Sequence, residues 1–541
     1  MRKHKTLMLA AGLLAATILP NWAQSASYTV TEASDDGTGV VNSLSWAINQ
    51  ANGTTEDDTI TLQSDITLSA ALPQITSTIT IEGGEHFIDG NNNSNVGSVL
   101  QVESTGTLTL NNATVTGGTG TLNDLGTQVG GGGISSFGTV TLNSVTVRGN
   151  SAGDGTRDGF GGGLNNRNGT MTLNNTTVTG NTSSYVGAGV YNQTDPSSEV
   201  EAMLILVNST VSDNTSDVIG GGIANKEGTV TLTNCTVSGN TAVVAGGGIS
   251  NNTGSLLLNN CTVSNNNGGG LSGGIANGYT GTATITDSTI IGNTAGSAGG
   301  IGNDTQSTVT LTGTAVIGNT AVLGGGGIGV QNSGSLVSLT NCTVSGNTVT
   351  GDATNGTPGA GGGIGNDSAT VIMNGVTVSD NTVPFGVGGG IAIVGTGTAE
   401  LKTSLVSGNT AGIVALGYEV YSENTNTITA DSHNFFGNSN QITADAFYNF
   451  TPGATDVNAS SDSTASADLA AILSPLADNG GPTQTHALPK DSPAINLDAA
   501  CTSGLTEDQR GKHRPAGPGC DAGAYEYHQT NMAPIYKLLL K

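Results

Sequence analysis

Four charged residues near the start of a repetitive region combine two carboxylates with two guanidinium groups. They are Asp154, Arg157, Asp158 and Arg167. Paired carboxylates are the groups that cleave glycosidic bonds, and a guanidinium offers a rigid set of N–H donors to oxygen acceptors. We therefore take these four residues as a candidate carbohydrate cleft.

The rest of the repetitive region is poor in groups for catalysis on a polysaccharide. No histidine occurs between residues 87 and 432, and the basic residues of 101–420 are Arg148, Arg157, Arg167, Lys226 and Lys402. Elimination needs a base, and hydrolysis needs two convergent carboxylates. We assign no catalytic residue and expect a non-catalytic protein. A polysaccharide lyase or a glycoside hydrolase is the alternative.

No cofactor or metal site is indicated either. No Cys and His residues are paired with metal-ligand spacing. The many Gly-Gly-Gly triplets are not phosphate-binding loops, because no Lys-Ser/Thr pair sits beside them. We expect no cofactor; structural calcium is compatible with the composition, but no motif indicates it.

A unit of about 26 residues repeats through the chain. Its central apolar residue follows a small residue and a threonine and precedes a Gly/Asp-Asn bend, and it occurs at Val115, Val147, Val178, Val211, Val237, Val263, Ile290, Val316, Val344, Val378 and Val406. A Gly-Gly-Gly-Ile/Leu motif and an alternating strand complete each unit, as in Thr229–Thr233. Period-2 alternation predicts strands with one buried face.

Units this short cannot bury their apolar faces alone, so they must stack. The sequence therefore predicts an all-β chain forming a right-handed single-stranded parallel β-helix, a pectin-lyase-like solenoid of about eleven or more coils. In one coil we expect six side chains inside: Ile223, Asn225, Val230, Leu232, Cys235 and Val237. The bend asparagines, such as Asn240 and Asn266, should form hydrogen-bonded columns.

The pairing of Gly-Gly-Ile with a later Gly-Asn bend over residues 101–420 resembles the repeats of the polymorphic outer membrane protein family. Those repeats carry Phe where this chain has Val or Ile. The resemblance implies a β-helical protein of the bacterial surface, associated with the cell outer membrane. Insertions at 119–130, 151–160, 194–202 and 350–360 should carry binding specificity, because loops on a rigid scaffold can vary.

Both ends of the solenoid need caps, because open coils would pair with other chains. Residues 26–100 should contain an amphipathic capping helix over 43–52 and the first coils. Residues 421–527 contain Ser474-Pro475-Leu476-Ala477-Asp478-Asn479-Gly480-Gly481-Pro482 and Cys520-Asp521-Ala522-Gly523-Ala524-Tyr525-Glu526. This C-terminal capping module resembles the choice-of-anchor Q domain of bacterial surface proteins, and a tail follows at 528–541.

The N-terminus has the pattern of a secretory signal peptide, residues 1–25, with basic residues before an apolar run from Leu7 to Leu19. We expect an exported monomer, extracellular or on the cell surface, without a membrane span. The net charge of −26 argues against nucleic acid as a partner. Export permits a structural disulfide between Cys501 and Cys520, whereas a bridge between Cys235 and Cys261 is left open.

The function that these features favour is adhesin-like binding of a cell surface or a glycan. A second alternative is an ice-binding face, because pairs of threonines recur on one strand of each unit, including Thr139/Thr141 and Thr229/Thr231. We expect the series to be interrupted in two units, where Glu201/Met203 and Ser255/Leu257 replace the threonine pair. Threonine is also a common exposed strand residue without any such role.

Overall fold

The computed structural model describes residues 25–122, 128–154, 156–413, 416–425, 427–430 and 432–529. The predicted signal peptide, except Ser25, and nearly all of the predicted tail lie outside these residues. The described chain is a right-handed parallel β-helix, as predicted, with three long parallel sheets of 13, 15 and 16 strands. We call them sheets 1, 2 and 3, in the order in which each coil passes through them.

The strands of each sheet pair with their equivalents one coil away. Sheet 1 contains Leu100–Val102, Ile134–Ser136, Leu164–Arg167, Val190–Gln193, Ile223–Lys226, Ile249–Asn252, Ile275–Gly278, Ile301–Asn303, Ile328–Gln331, Ile364–Asp367, Ile391–Val394, Val420–Ser422 and Phe447–Tyr448. Sheet 2 contains Ser27–Val30, Asp58–Leu62, Thr78–Glu82, Thr107–Asn111, Thr139–Asn143, Thr170–Asn174, Met203–Val207, Thr229–Thr233, Ser255–Asn259, Thr282–Thr286, Thr308–Thr312, Leu336–Thr340, Thr370–Asn374, Thr398–Lys402 and Ile428–Thr429. Sheet 3 contains Ser34–Asp35, Ile66–Leu68, Phe87–Asp89, Thr114–Thr116, Thr146–Arg148, Thr177–Thr179, Thr210–Ser212, Thr236–Ser238, Thr262–Ser264, Thr289–Ile291, Ala315–Ile317, Thr343–Ser345, Thr377–Ser379, Leu405–Val406, Phe435–Phe436 and Val457–Asn458.

Shorter elements lie between sheet 3 and sheet 1 and at the two ends. Two-residue strands follow the bend asparagines at Ser151–Ala152, Thr182–Ser183, Thr215–Ser216, Thr241–Ala242, Thr294–Ala295, Thr320–Ala321, Thr348–Val349, Thr382–Val383 and Thr410–Ala411. Small sheets are formed by Thr121–Leu122, Gln128–Gly130 and Asp158–Phe160, by Gly359–Ala360 and Gly386–Val387, and by Leu476–Ala477 and Thr485–His486. The helices are Leu44–Asn52, Thr443–Ala446 and Leu469–Ile472, and no described helix is long and apolar enough to cross a membrane.

Alternation along the strands produces one continuous apolar interior. All six side chains predicted to lie inside one coil are buried: Ile223, Asn225, Val230, Leu232, Cys235 and Val237. Val237 pairs directly with Val263 of the next coil, so their side chains stack on the same side of the wall. A single core cluster contains the apolar members of this set and their apolar equivalents in the other coils.

The bend asparagines form a buried column along the axis. Each amide nitrogen donates to the amide oxygen of the next coil, as from Asn214 to Asn240 at 2.9 Å and from Asn240 to Asn266 at 3.0 Å. The column ends at Glu419, whose carboxylate accepts from the amide of Asn409 at 2.7 Å. A second buried column includes Asn225, which donates to Asn251 at 2.8 Å. The predicted amide columns are therefore present.

The glycine triplets are required by backbone geometry at the entry to sheet 1. Gly220 has a φ of +64°, which L side chains rarely adopt. A Cβ on Gly222 would lie 2.6 Å from the carbonyl oxygen of Gly248 and 3.0 Å from the amide of Asn240. The triplets thus allow the sharp turn and bring successive coils close to the asparagine column.

The N-terminal end is covered by the predicted amphipathic helix. Leu44–Asn52 begins after Ser43, whose hydroxyl accepts a hydrogen bond from the backbone N–H of Trp46 at 3.2 Å. Its buried side chains include Leu44, Ala47 and Ile48. The helix therefore places an apolar face over the first coil.

The C-terminal residues differ from a simple end cap. The coils continue past residue 420 as far as Val457–Asn458, so the expected boundary at 420 lies within the solenoid. The remaining chain folds back along the outer face of sheet 3. There Thr343 donates to Gln509 at 2.7 Å, and the hydroxyl of Ser345 lies 2.8 Å from His486 Nε2.

Candidate functional site

The outer face of sheet 1 carries a groove near its N-terminal end. Two adjoining cavities of about 530 and 430 Å³ share Phe160, Arg167, Tyr191 and Gln193 in their linings. Phe137 and Asn165 line one of them, and Tyr185 lines the other. We call this the aromatic groove, defined by these seven residues.

Strand alternation determines which side chains reach the groove. In Val190–Gln193 the first and third residues point into the solenoid, so Tyr191 and Gln193 lie on the outer face. Tyr191 pairs in register with Asn165 of the preceding coil and with Ala224 of the following one. The small side chain of Ala224 leaves room for the Tyr191 ring.

Three aromatic rings lie close together in the lining of the groove. The ring centroids of Phe160 and Tyr191 lie 5.2 Å apart, and those of Phe160 and Tyr185 lie 5.4 Å apart. Tyr185 is 38% exposed, whereas Tyr191 is buried. Burial also raises the pKa of Tyr191, so its hydroxyl stays protonated at physiological pH. The rings offer a rigid apolar surface beside polar groups.

Arg167 supplies the groove with a positive charge. Its guanidinium lies 5.7 Å from the centroid of the Phe137 ring and 3.7 Å from the carboxylate of Asp195. Among the residues that the structure describes, the buried Nε atom of Arg167 and the buried Oδ1 atom of Asn165 have no hydrogen-bond partner. A buried unpaired polar atom is costly unless a ligand or water satisfies it.

The predicted four-residue cleft is only partly assembled. Arg167 and Asp158 line the same cavity. Asp154 and Arg157 instead pair with each other at 2.8 Å and do not line either cavity of the groove. The short loop that holds Asp154 turns its carboxylate toward Thr156 and Arg157, which removes both charges from the groove.

Asp195 and Asp154 lie next to the groove without lining its cavities, and both are poorly suited to donate a proton. Hydrogen bonds from Ser197 hold the pKa of Asp195 below its usual value. Hydrogen bonds from Thr156 lower the pKa of Asp154 in the same way. A general acid in glycoside hydrolysis needs a raised pKa. These two carboxylates are ionised at neutral pH and can bind ligands but not protonate a leaving group.

Three of the four predicted specificity insertions border the groove. Thr121 and Gly130 of the first insertion and Phe160 of the second line its cavities. Asp195 of the third pairs with Arg167. The fourth, at 350–360, contributes none of the described lining residues. Residues 123–127, within the first insertion, lie outside the described residues.

Other predicted features lie away from the groove. A disulfide joins Cys501 and Cys520, whereas Cys235, Cys261 and Cys342 are free and buried. The described residues contain no cluster of three or more His, Cys, Asp or Glu side chains that could hold a metal. The structure thus offers a binding groove and, among the residues it describes, no metal cluster.

The paired threonines lie on the outer face of sheet 2, on the side of each strand away from the core. Thr229 and Thr231 are paired in register with Met203 and Ile205 on one side and with Ser255 and Leu257 on the other. We expected the interruption at Glu201 and Met203, and this expectation is wrong in its position. The interruption lies at Met203 and Ile205, because the strand begins at Met203 and Glu201 precedes it. The threonine array is therefore broken at one coil before Thr229 and Thr231 and at one coil after them.

The aromatic groove was not predicted from the sequence, although a signal was present. Aromatic residues are only 4% of the chain. Four of them, Phe137, Phe160, Tyr185 and Tyr191, nevertheless occur within 55 residues at the start of the repeats. Their spacing follows no fixed period, because insertions of different length separate the coils.

Comparisons with known proteins give similarity in fold only. No protein-family model and no curated protein matches the chain. Among solved structures, pectate lyase Pel9A is 13% identical with a TM-score of 0.30, and 94% of this chain and 97% of that chain are covered. The periplasmic alginate epimerase AlgG is 12% identical with a TM-score of 0.31, covering 74% and 83%.

A third similar structure is PfbA, a surface adhesin of Streptococcus pneumoniae. It is 11% identical with a TM-score of 0.28, and 86% of this chain and 100% of that chain are covered. These identities are too low for the activity of any of the three proteins to be assigned to this chain.

Proposed function

We propose that this chain is an exported, non-catalytic β-helical protein that binds a glycan in the aromatic groove, as an adhesin does. The observation that carries this proposal is the polar side of the groove, where Arg167 and Gln193 line both cavities. A guanidinium donates hydrogen bonds and a side-chain amide both donates and accepts them, so together they can pair with the hydroxyl groups of a sugar.

The aromatic rings support the same ligand class. A pyranose presents an apolar C–H face and a polar edge of hydroxyl groups. Phe160 and Tyr185 offer apolar surface, while Gln193 and Arg167 offer hydrogen-bonding groups beside it. The exposed surface of both cavities is somewhat more polar than apolar, which suits a ligand rich in hydroxyl groups.

Binding without turnover is favoured by the side chains near the groove. Hydrogen bonds from Ser197 lower the pKa of Asp195, which disfavours it as a general acid, and the sequence contains no histidine between residues 87 and 432. Export is supported by the signal peptide pattern and by the disulfide between Cys501 and Cys520, a bond that persists in oxidising compartments. The resemblance to surface proteins of bacteria agrees with this location.

The test applies the mature chain to a glycan array and, in parallel, assays each bound polysaccharide for cleavage. We expect saturable binding to a defined glycan without release of unsaturated or reducing-end products. Release of unsaturated product would instead identify a lyase, and release of reducing ends a hydrolase. Either result contradicts the non-catalytic proposal.

A further inference from the structure

A smaller and more apolar pocket adjoins the aromatic groove on the outer face of sheet 1. Its volume is about 230 Å³. The pocket shares Ile219, Ser250 and Asn252 with the lining of the smaller cavity of the aromatic groove, so the two lie side by side. We call it the apolar pocket.

The floor of the apolar pocket consists of small residues on three neighbouring coils. Ala276, Gly302 and Gly329 pair in register on the outer face of sheet 1. A Cβ on Gly302 would lie 2.1 Å from Ser272 Oγ, and a Cβ on Gly329 would lie 2.9 Å from Ala298 Cβ. Because these two glycines have no side chain, Ser272 and Ala298 can pack close to the floor and border the pocket.

The wall of the pocket is apolar and exposed. Leu271 is 48% exposed and Val244 is 41% exposed, and both line the pocket with Ile219 and Ala298. Among the described lining residues Asp304 is the only charged one, whereas the adjoining cavity of the groove is lined by Asp158, Arg167 and Lys226.

Other exposed apolar side chains occur on this chain, such as Val200 and Ile442, but Leu271 and Val244 line one pocket together with Ile219 and Ala298. Contiguous exposed apolar surface next to a binding groove indicates an apolar partner. The sugar units of a glycan have hydroxyl groups on every edge, whereas the exposed lining of this pocket is mostly apolar. The apolar pocket therefore suits a group attached to the glycan rather than another sugar.

We infer that the ligand is a glycolipid whose alkyl or acyl chain lies in the apolar pocket while its sugar lies in the aromatic groove. This inference rests on the proposed function and specifies its ligand class. The occupant must be narrow enough for a pocket of about 230 Å³ and flexible enough to follow the floor from Ser250 to Gly329. A saturated chain meets both conditions, and each buried methylene should tighten binding by about two- to fourfold.

The first experiment tests the apolar pocket without any sugar. N-phenyl-1-naphthylamine, an uncharged dye whose fluorescence rises in apolar sites, is titrated into the mature chain and into two variants. Leu271→Asp places a charge in the pocket wall. Leu257→Asp is the matched control, because Leu257 is also exposed, at 40%, but lies on the outer face of sheet 2.

We expect the dye to bind the wild-type chain and Leu257→Asp with the same affinity and Leu271→Asp at least tenfold more weakly. Circular dichroism confirms that both variants are folded. Equal dye affinity in all three proteins, or no dye binding to the wild type, would overturn the inference, because the pocket would then not accept an apolar ligand.

The second experiment tests the alkyl chain and separates this inference from the proposed function. Methyl, butyl and octyl β-D-glucosides compete with the dye below their micellar concentrations. We expect displacement to strengthen with chain length in the wild type and Leu257→Asp, and this dependence to disappear in Leu271→Asp. Displacement independent of chain length would contradict an alkyl occupant. Chain-length dependence together with a blank glycan array would refute the sugar in the aromatic groove and the proposed function, while the alkyl occupant of the apolar pocket would stand.

Discussion

At the residue scale, Asn240 illustrates how amides stabilise the interior of the solenoid. Its amide nitrogen donates to Val211 O at 3.0 Å and to Asn266 Oδ1 at 3.0 Å, and its Oδ1 accepts from Asn214. We expect Asn240→Ala to lower the free energy of unfolding by about 3 kcal/mol, because several buried groups lose their partners. Urea unfolding followed by circular dichroism measures the change.

The control for Asn240→Ala is Asn259→Ala. Asn259 has the same side chain but lies exposed at the end of a sheet 2 strand. Its substitution should change the free energy of unfolding by less than about 0.5 kcal/mol. Equal effects of the two substitutions would show that the amide column does not stabilise the fold.

The carboxylate at the end of the amide column should make stability depend on pH. Burial raises the pKa of Glu419 from 4.5 to about 7, although hydrogen bonds from Asn409 and Gly408 oppose the increase. The folded state therefore holds a proton that the unfolded chain releases at lower pH, so this stabilisation is full below pH 4.5 and is lost as the pH rises through 7.

Raising the pH from 5 to 8 should destabilise the wild type relative to Glu419→Gln. We expect the difference between their free energies of unfolding to change by up to about 3 kcal/mol. The amide does not titrate, so the variant is the reference at each pH. Urea unfolding at both pH values measures the difference. A pH-independent difference would show that Glu419 does not titrate in this range.

Some residues of the groove could be identified from the sequence, and others could not. Asp158 and Arg167 were found because their charges are rare in the repeats. Asp154 and Arg157 look equivalent to them in sequence, but a tight loop pairs these two charges with each other. Tyr185 and Tyr191 were missed because their approach to Phe160 depends on the register between coils, which insertions conceal.

At the element scale, the long strands were predictable because five residues with period-2 alternation identify both a strand and its buried face. The two-residue strands, such as Thr241–Ala242, carry no such period and were not predicted. The packing of residues after 458 along sheet 3 was also not predicted. It joins side chains far apart in sequence, as in the hydrogen bond from Thr343 to Gln509.

Gln509 should determine how firmly the C-terminal residues pack against sheet 3. Its side chain accepts from Thr343 at 2.7 Å and donates to Thr483 at 2.8 Å, and it is buried. Gln509→Ala leaves both hydroxyl groups without this partner, which costs about 1–3 kcal/mol. We expect faster cleavage after residue 473 in limited proteolysis, measured by mass spectrometry of the fragments.

Gln484→Ala is the matched control, since Gln484 lies two residues from the buried His486 but is itself exposed. Its cleavage rate should equal that of the wild-type chain. If Gln509→Ala is cleaved no faster than Gln484→Ala, the side-chain hydrogen bonds do not hold the C-terminal residues in place.

At the scale of the whole molecule, the coils are interchangeable units. Deletion of residues 229–254 joins Gly228 to Ser255, which pairs in register with Thr229, so every sheet and both amide columns stay continuous. We expect a folded protein whose rod is shorter by about 4.8 Å. Circular dichroism and small-angle X-ray scattering measure these properties. Deletion of only 229–241 should prevent folding, and equal behaviour of the two deletions would contradict stacking in register.

The central claim is that Arg167 and the rings beside it bind a glycan, and a matched pair of arginines tests it most directly. Arg167 lies 5.7 Å from the ring of Phe137 in the groove, and Arg148 lies 5.6 Å from the ring of Phe87 on sheet 3. Calorimetric titration of the array-selected glycan into Arg167→Ala and Arg148→Ala compares them. We predict a loss of at least tenfold in affinity for Arg167→Ala and wild-type affinity for Arg148→Ala; equal affinities would contradict the account.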